Sequence, residues 1–196
     1  MKAFTLAIGI AFVAVGVLSQ DAHAYLHFTT SSAGQSRALK WQRTPVRWFA
    51  ADRGVPGVPA SEFQAAMARA FATWEAVPTA SITFQFVGFT GAEPFDDDNM
   101  SVLGFQNHPE MERVLGATGF LIDTITGEIV ESDIFFNSAF QWSTAAQGDA
   151  ARFDLESVAV HEIGHFLGLG HSALGETDMR PEGGRRVLGS GAVMFP

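Results

Sequence analysis

The chain has 196 residues, 47% hydrophobic and 17% charged, with 12 Lys and Arg against 21 Asp and Glu. That is one domain's worth of sequence with enough apolar side chain for a real core, and the 18 Phe and 4 Trp exclude a disordered chain. A formal charge of −9 argues against a nucleic-acid binder, and the absence of cysteine excludes disulfides, thiolate metal sites and thiol nucleophiles.

Residues 1–24 read as an export signal. Lys2 supplies the positive start, residues 3–18 are apolar apart from Thr5, and Ala22-His23-Ala24 has the small-x-small pattern of a cleavage site. The apolar run falls short of the ~20 residues that a membrane-spanning helix needs. The expected product is therefore secreted, extracellular or periplasmic, with no membrane contact after signal removal.

Residues 25–44 are polar, mixed and weakly periodic, contain no Asp or Glu, and read as an N-terminal arm without specified structure. Residues 46–49 (Val-Arg-Trp-Phe) form a short strand candidate, and residues 54–59, with two Gly and two Pro, a loop. Residues 61–75 predict a helix. Ser61 and Gln64 have capping-box spacing, and Phe63, Met67, Phe71 and Trp74 recur at helical intervals to give one buried face. Such a stripe is core packing far more often than ligand lining.

Residues 81–89 alternate Ile82, Phe84 and Phe86 and predict a strand. Asp96-Asp97-Asp98-Asn99 is an acidic loop. A solvated turn is the plainer reading. The oxygen donors also suit Ca²⁺, although the EF-hand spacing is absent. Residues 100–105 predict a further strand. Residues 114–122 and 128–136 flank Thr124-Ile125-Thr126-Gly127 as a hairpin would. No internal repeat or domain linker interrupts the chain.

The chemistry lies in His161-Glu162-Ile163-Gly164-His165-Phe166-Leu167-Gly168-Leu169-Gly170-His171, which fits H-E-x-x-H-x-x-G-x-x-H at every fixed position. On a helix, residues four apart share one face, so His161 and His165 can aim two imidazoles at one ion. Leu155, Ala159, Ile163 and Phe166 form a separate stripe that packs the helix on a sheet. A straight helix cannot return His171 to the same ion, since ten residues run past two and a half turns. Gly168 can end the helix at positive φ and turn the chain back. Three imidazoles leave one position open, the pattern of catalytic rather than structural zinc. Glu162, beside the first ligand, is placed to act as the general base and then the general acid. A lone H-E-x-x-H arises by chance; the full pattern is far more specific, and His23, His27 and His108 are scattered outside it.

This segment resembles a metzincin zinc endopeptidase of the matrixin type, with Ser172 directly after the third histidine as in matrixins. Val46-Arg47-Trp48, Thr73-Trp74, residues 81–86 and Asp133-Ile134-Phe135-Phe136-Asn137 resemble successive elements of a bacterial matrixin catalytic domain. The resemblance implies an α+β zincin-like fold: a twisted, mostly parallel five-stranded mixed sheet with two long helices, the active-site helix under the cleft. It implies a catalytic domain over residues 45–196 and makes Leu115, Gly116 and Ala117 part of an edge strand that pairs with substrate. It also implies one catalytic Zn²⁺; Ca²⁺, suggested by the acidic loop alone, is a second candidate cofactor. Animal matrixins hold a structural zinc through histidines; near Ala117 and Ile134 this sequence has none, and it lacks the propeptide cysteine.

Metzincins place a methionine turn under the zinc. Met194, in Ala192-Val193-Met194-Phe195-Pro196, matches that turn better than Met179, which Arg180 follows. Residues 175–191 then become an inserted Gly-rich loop, with Arg180, Arg185 and Arg186 as a candidate basic rim. The chain ends at Pro196, so the expected domain lacks the C-terminal pocket wall and closing helix of the family. The expected function is a secreted, monomeric zinc metalloendopeptidase acting on a peptide or protein substrate. The alternative is a catalytically incomplete zinc- or peptide-binding remnant of such a protease.

Overall fold

A computed structural model describes residues 27–171, 177–179, 185–187 and 193–194. The expected export signal, Ser172 and Arg180 lie outside the described residues. So do the side chains of residues 177–179 and 185–187.

The arm expected to be unspecified is a two-stranded hairpin, β1 (Thr29–Ser32) and β2 (Gln35–Ala38). Ala33 and Gly34 both adopt positive φ at its tip, the geometry that matches strand twist in a two-residue turn. Its strands show no apolar alternation; backbone bonds of the flanking residues tie the hairpin to other elements. Phe28 N–H donates to Gly168 O (2.9 Å), Lys40 N–H to Gly127 O (3.0 Å) and Ile129 N–H to Lys40 O (2.9 Å).

Five strands make the main sheet: β3 (Val46–Ala51), β4 (Phe84–Thr90), β5 (Val102–Gln106), β6 (Gly116–Ile122) and β7 (Ile129–Asn137), in the order β4-β3-β5-β7-β6. All pairs are parallel except β6 with β7. The turn between those two is set by Asp123, whose carboxylate accepts from Ile125 N–H (2.8 Å) and Thr126 N–H (3.1 Å), with Gly127 at φ 76°. The expected mixed sheet and its antiparallel edge are therefore present.

Helix α1 spans Ala60–Glu75 and buries Phe63, Ala66, Met67, Ala70 and Phe71. The expected capping box is absent. The helix starts one residue earlier, Pro59 occupies the cap position, and no side chain caps it. Ser61 then falls inside the first turn, where its hydroxyl has no cap role. Trp74 is half-buried and donates its indole N–H to Val160 O (2.9 Å), tying α1 to the second helix.

A short parallel pair, β8 (Trp142–Ser143) and β9 (Phe153–Asp154), leads into α2 (Leu155–Phe166). Leu155, Ala159, Ile163 and Phe166 are all fully buried, as their stripe predicts. They share one core with Trp48, Phe63, Phe71, Phe105, Phe136 and Trp142, each buried Leu, Ile or Phe worth roughly 1.5–3 kcal/mol. The segment expected as an inserted loop carries a small antiparallel hairpin, β10 (Thr177–Met179) with β11 (Arg185–Val187).

Candidate active site

Helix α2 is built to hold its histidines still. Asp154 caps it by accepting from Ser157 N–H (3.2 Å) and from the Ser157 hydroxyl. At the other end Gly168 adopts φ 85°. Gly168 N–H donates to His165 O (2.7 Å) and Leu169 N–H to Gly164 O (3.0 Å), the paired bonds of a Schellman motif. A β-carbon on Gly168 would strike Leu39 O. The turn therefore needs glycine for its φ and for the close passage of the arm.

That turn returns His171 to the face occupied by His161 and His165. The Nε2 atoms stand 3.2 Å apart between His165 and His171 and 3.3 Å apart between His171 and His161. Both remote nitrogens on the helix are occupied: Nδ1–H of His161 donates to Val193 O and Nδ1–H of His165 to Leu169 O, each at 2.8 Å. These bonds fix the tautomer that leaves the Nε2 lone pairs directed inward. Burial, with the neighbouring imidazoles, holds His165 and His171 below the ordinary imidazole range, which keeps them neutral as ligands must be. The donor set fits zinc. A tetrahedral ion with Zn–N bonds of ~2.0–2.1 Å needs its ligands ~3.3 Å apart. Among the described residues these three form the group of His, Asp or Glu side chains close enough to hold a metal.

Glu162 is buried beside them. Burial pushes its carboxyl up, and the hydrogen bond from Thr118 opposes that push. The Thr118 hydroxyl lies 2.7 Å from Glu162 Oε2 and 3.0 Å from Glu162 O, its one proton shared between them. Gly116 permits this approach of strand to helix, since a β-carbon there would meet Phe135 O at 2.9 Å and Glu162 Cγ at 3.4 Å.

One open cleft of about 840 Å³ contains His161, Glu162, His165 and His171. Its other wall is the edge strand β6 and the residues before it: Leu115, Gly116, Ala117, Thr118 and Phe120. The structure thus brings the three expected ligands, the expected base and the expected strand residues into one cleft. Sequence reasoning missed Thr118, Phe120, Phe28 and the Val193 carbonyl. Two-residue periodicity from Gly116 points to Thr118 and Phe120. Phe28 carries no local signal.

Met194 is fully buried beneath α2, where a β-carbon on Gly164 would run into its sulfur and into Trp74. Met179 lies in β10, paired with Arg185. In the acidic loop, Asp96 accepts from Glu93 N–H (2.9 Å) and Asp98 from Met100 N–H (2.8 Å), so both carboxylates serve their own loop. Buried Asp133 accepts from Phe95 and Val102 N–H (2.7 Å each), and burial still pushes it up to about 6. Burial and Asp98 likewise raise Glu131.

Known proteins resemble this chain over the same region. The sequence profile of the matrixin family matches residues 40–182. Metalloendoproteinase 1 of Glycine max is 36% identical over 118 residues, covering 57% of this chain and 35% of that protein. Metalloendoproteinase 2-MMP of Arabidopsis thaliana is 36% identical over 127 residues, covering 61% of this chain and 31% of its own length. Matrix metalloproteinase-16 of Rattus norvegicus is 31% identical over 136 residues, or 68% of this chain and 22% of that protein. The chain spans about a third or less of these relatives.

Proposed function

The chain belongs to the matrixin family, and from that premise we propose that it is an exported zinc-dependent endopeptidase acting on peptide or protein substrates. The observation that carries this reading is the convergence of three Nε2 atoms beside a buried carboxylate in an open cleft. His161, His165 and His171 would hold the zinc. When bound, zinc supplies a Lewis acid that polarises a carbonyl and lowers the pKa of water.

The remaining steps belong to the chain. An extended peptide would pair with the free side of β6, where main-chain bonds give affinity and alternate side chains give selectivity. Glu162 takes the proton of the attacking water on a carboxylate oxygen and later delivers it to the leaving amine. Its raised pKa suits both halves of that transfer, and the Thr118 hydroxyl keeps the carboxylate aimed. Met194 serves as the apolar floor under the site, and the Val193 carbonyl orients His161. Export rests on the leader expected in residues 1–24; among the described residues no helix is long and apolar enough to cross a membrane. A calcium role for the 96–99 loop is a second reading: Asp96 and Asp97 line one hollow with Glu131 and Asp133.

Glu162→Ala tests the reading. General acid–base catalysis is worth about 10²–10⁴ in rate. The variant is expected to retain one zinc per chain and lose casein hydrolysis by at least that factor. Turnover equal to wild type would overturn the mechanism. Zinc binding without activity in the wild type itself would favour the catalytically incomplete alternative.

A further inference from the structure

We infer that Phe28, carried on the N-terminal arm, joins Phe120 to form an apolar subsite that selects a large apolar side chain of the substrate. The inference rests on the endopeptidase reading and names part of its specificity.

Three observations converge. First, the Phe28 ring lies 5.5 Å from Phe120 and 5.7 Å from the ligand His165, and it lines the same cleft as all three histidines and Glu162. Second, it is 38% exposed, so the ring presents a face to the cleft instead of being absorbed into the core. Third, its backbone is clamped on both sides. Phe28 N–H donates to Gly168 O (2.9 Å), and Leu39 N–H donates to Phe28 O (2.8 Å). The hairpin β1–β2 closes the intervening segment. The backbone that carries the ring is therefore tied to the turn that follows α2.

Position along β6 decides what this surface meets. Gly116, Thr118 and Phe120 alternate onto one side of the strand, with Glu162 packed against Gly116 and Thr118. Phe120 is one repeat further along. A peptide paired with β6 presents alternate side chains to the cleft, so a residue near the scissile bond lands on the Phe28–Phe120 platform. Two aromatic rings with exposed faces recognise aliphatic or aromatic side chains and offer nothing to a charged one. The competing role for Phe28 is a cover over His165, which would serve every substrate equally.

The test uses the zinc-loaded full chain, Phe28→Ala and Phe28→Leu, with peptides of one sequence that differ only in carrying Ala, Leu, Phe or Asp at each position flanking the cleaved bond. Wild type is expected to prefer Leu and Phe at one such position. Phe28→Ala should lose about tenfold in kcat/KM for those peptides, mainly through KM, and change the Ala peptide less than about twofold. Phe28→Leu should keep most of the preference. An equal loss across all peptides would assign the covering role and overturn the inference, as would an unchanged preference.

A binding measurement separates this failure from that of the peptidase reading. In a Glu162→Ala background, anisotropy of labelled peptides should show the same selectivity for Leu and Phe, lost on adding Phe28→Ala. Selective binding without wild-type turnover would fail the peptidase and keep the subsite. Turnover, with binding blind to Phe28, would do the reverse.

Discussion

Thr118 is the side chain whose effect on Glu162 can be isolated. Its hydroxyl is the hydrogen bond that opposes the upward push of burial on that carboxyl. Thr118→Val keeps the shape and removes the bond. The Glu162 pKa then moves further up, and the base must be deprotonated to accept a proton. The acidic limb of the kcat/KM profile is therefore expected to shift to higher pH, with a loss of about three- to tenfold near neutrality. A pH–rate series on wild type and variant checks this. A uniform drop with an unmoved acidic limb would mean that Thr118 only packs the strand. Strand periodicity from Gly116 turns Thr118 to the cleft side, but nothing local in the sequence marks it as the partner of a glutamate 44 positions away. The sequence singles out Glu162 by its adjacency to an expected ligand within a fixed helical spacing, and the structure puts it in the cleft beside all three histidines.

At the scale of elements, the parts with a repeat were readable and the parts held by isolated bonds were not. The α2 stripe and the α1 face declare themselves at helical spacing, and each lands on the core. The β6–β7 hairpin declares itself through its turn. The arm does not, because its order comes from single backbone bonds to Gly168, Gly127 and Ile129. The start of α1 was misjudged because a serine one residue inside the helix resembles a serine at its cap. The turn after α2 was read from one glycine, and it concentrates three demands: positive φ, the Schellman bonds, and contact with Leu39 O. Gly168→Ala violates the first and third together. It is expected to cost on the order of 1–3 kcal/mol in urea denaturation. Zinc affinity should fall as well, because His171 is placed by that turn. Chelator competition measures the second effect, and unchanged affinity alongside lost stability would show that His171 is positioned by something other than the turn.

Across the whole molecule, the proposed metal centre is where separate pieces of chain meet. His161 bonds Val193 O beside Met194, which is wedged under Gly164; His165 bonds Leu169 O; the arm is tied to Gly168. Without cysteine, no covalent link joins these pieces. A zinc held by the three histidines would therefore act as the cross-link, stabilising the folded state by about 4 kcal/mol at a free concentration a thousandfold above Kd. Stripping the metal is expected to lower Tm and to speed hydrogen exchange at the Phe28 and Leu39 amides, which depend on the arm staying docked. His165→Ala, lacking one ligand, should show little of either response to the chelator. If the apo protein kept both its Tm and its arm protection, the core of α1, α2 and the sheet would suffice to hold the cleft together, and zinc would serve the chemistry alone.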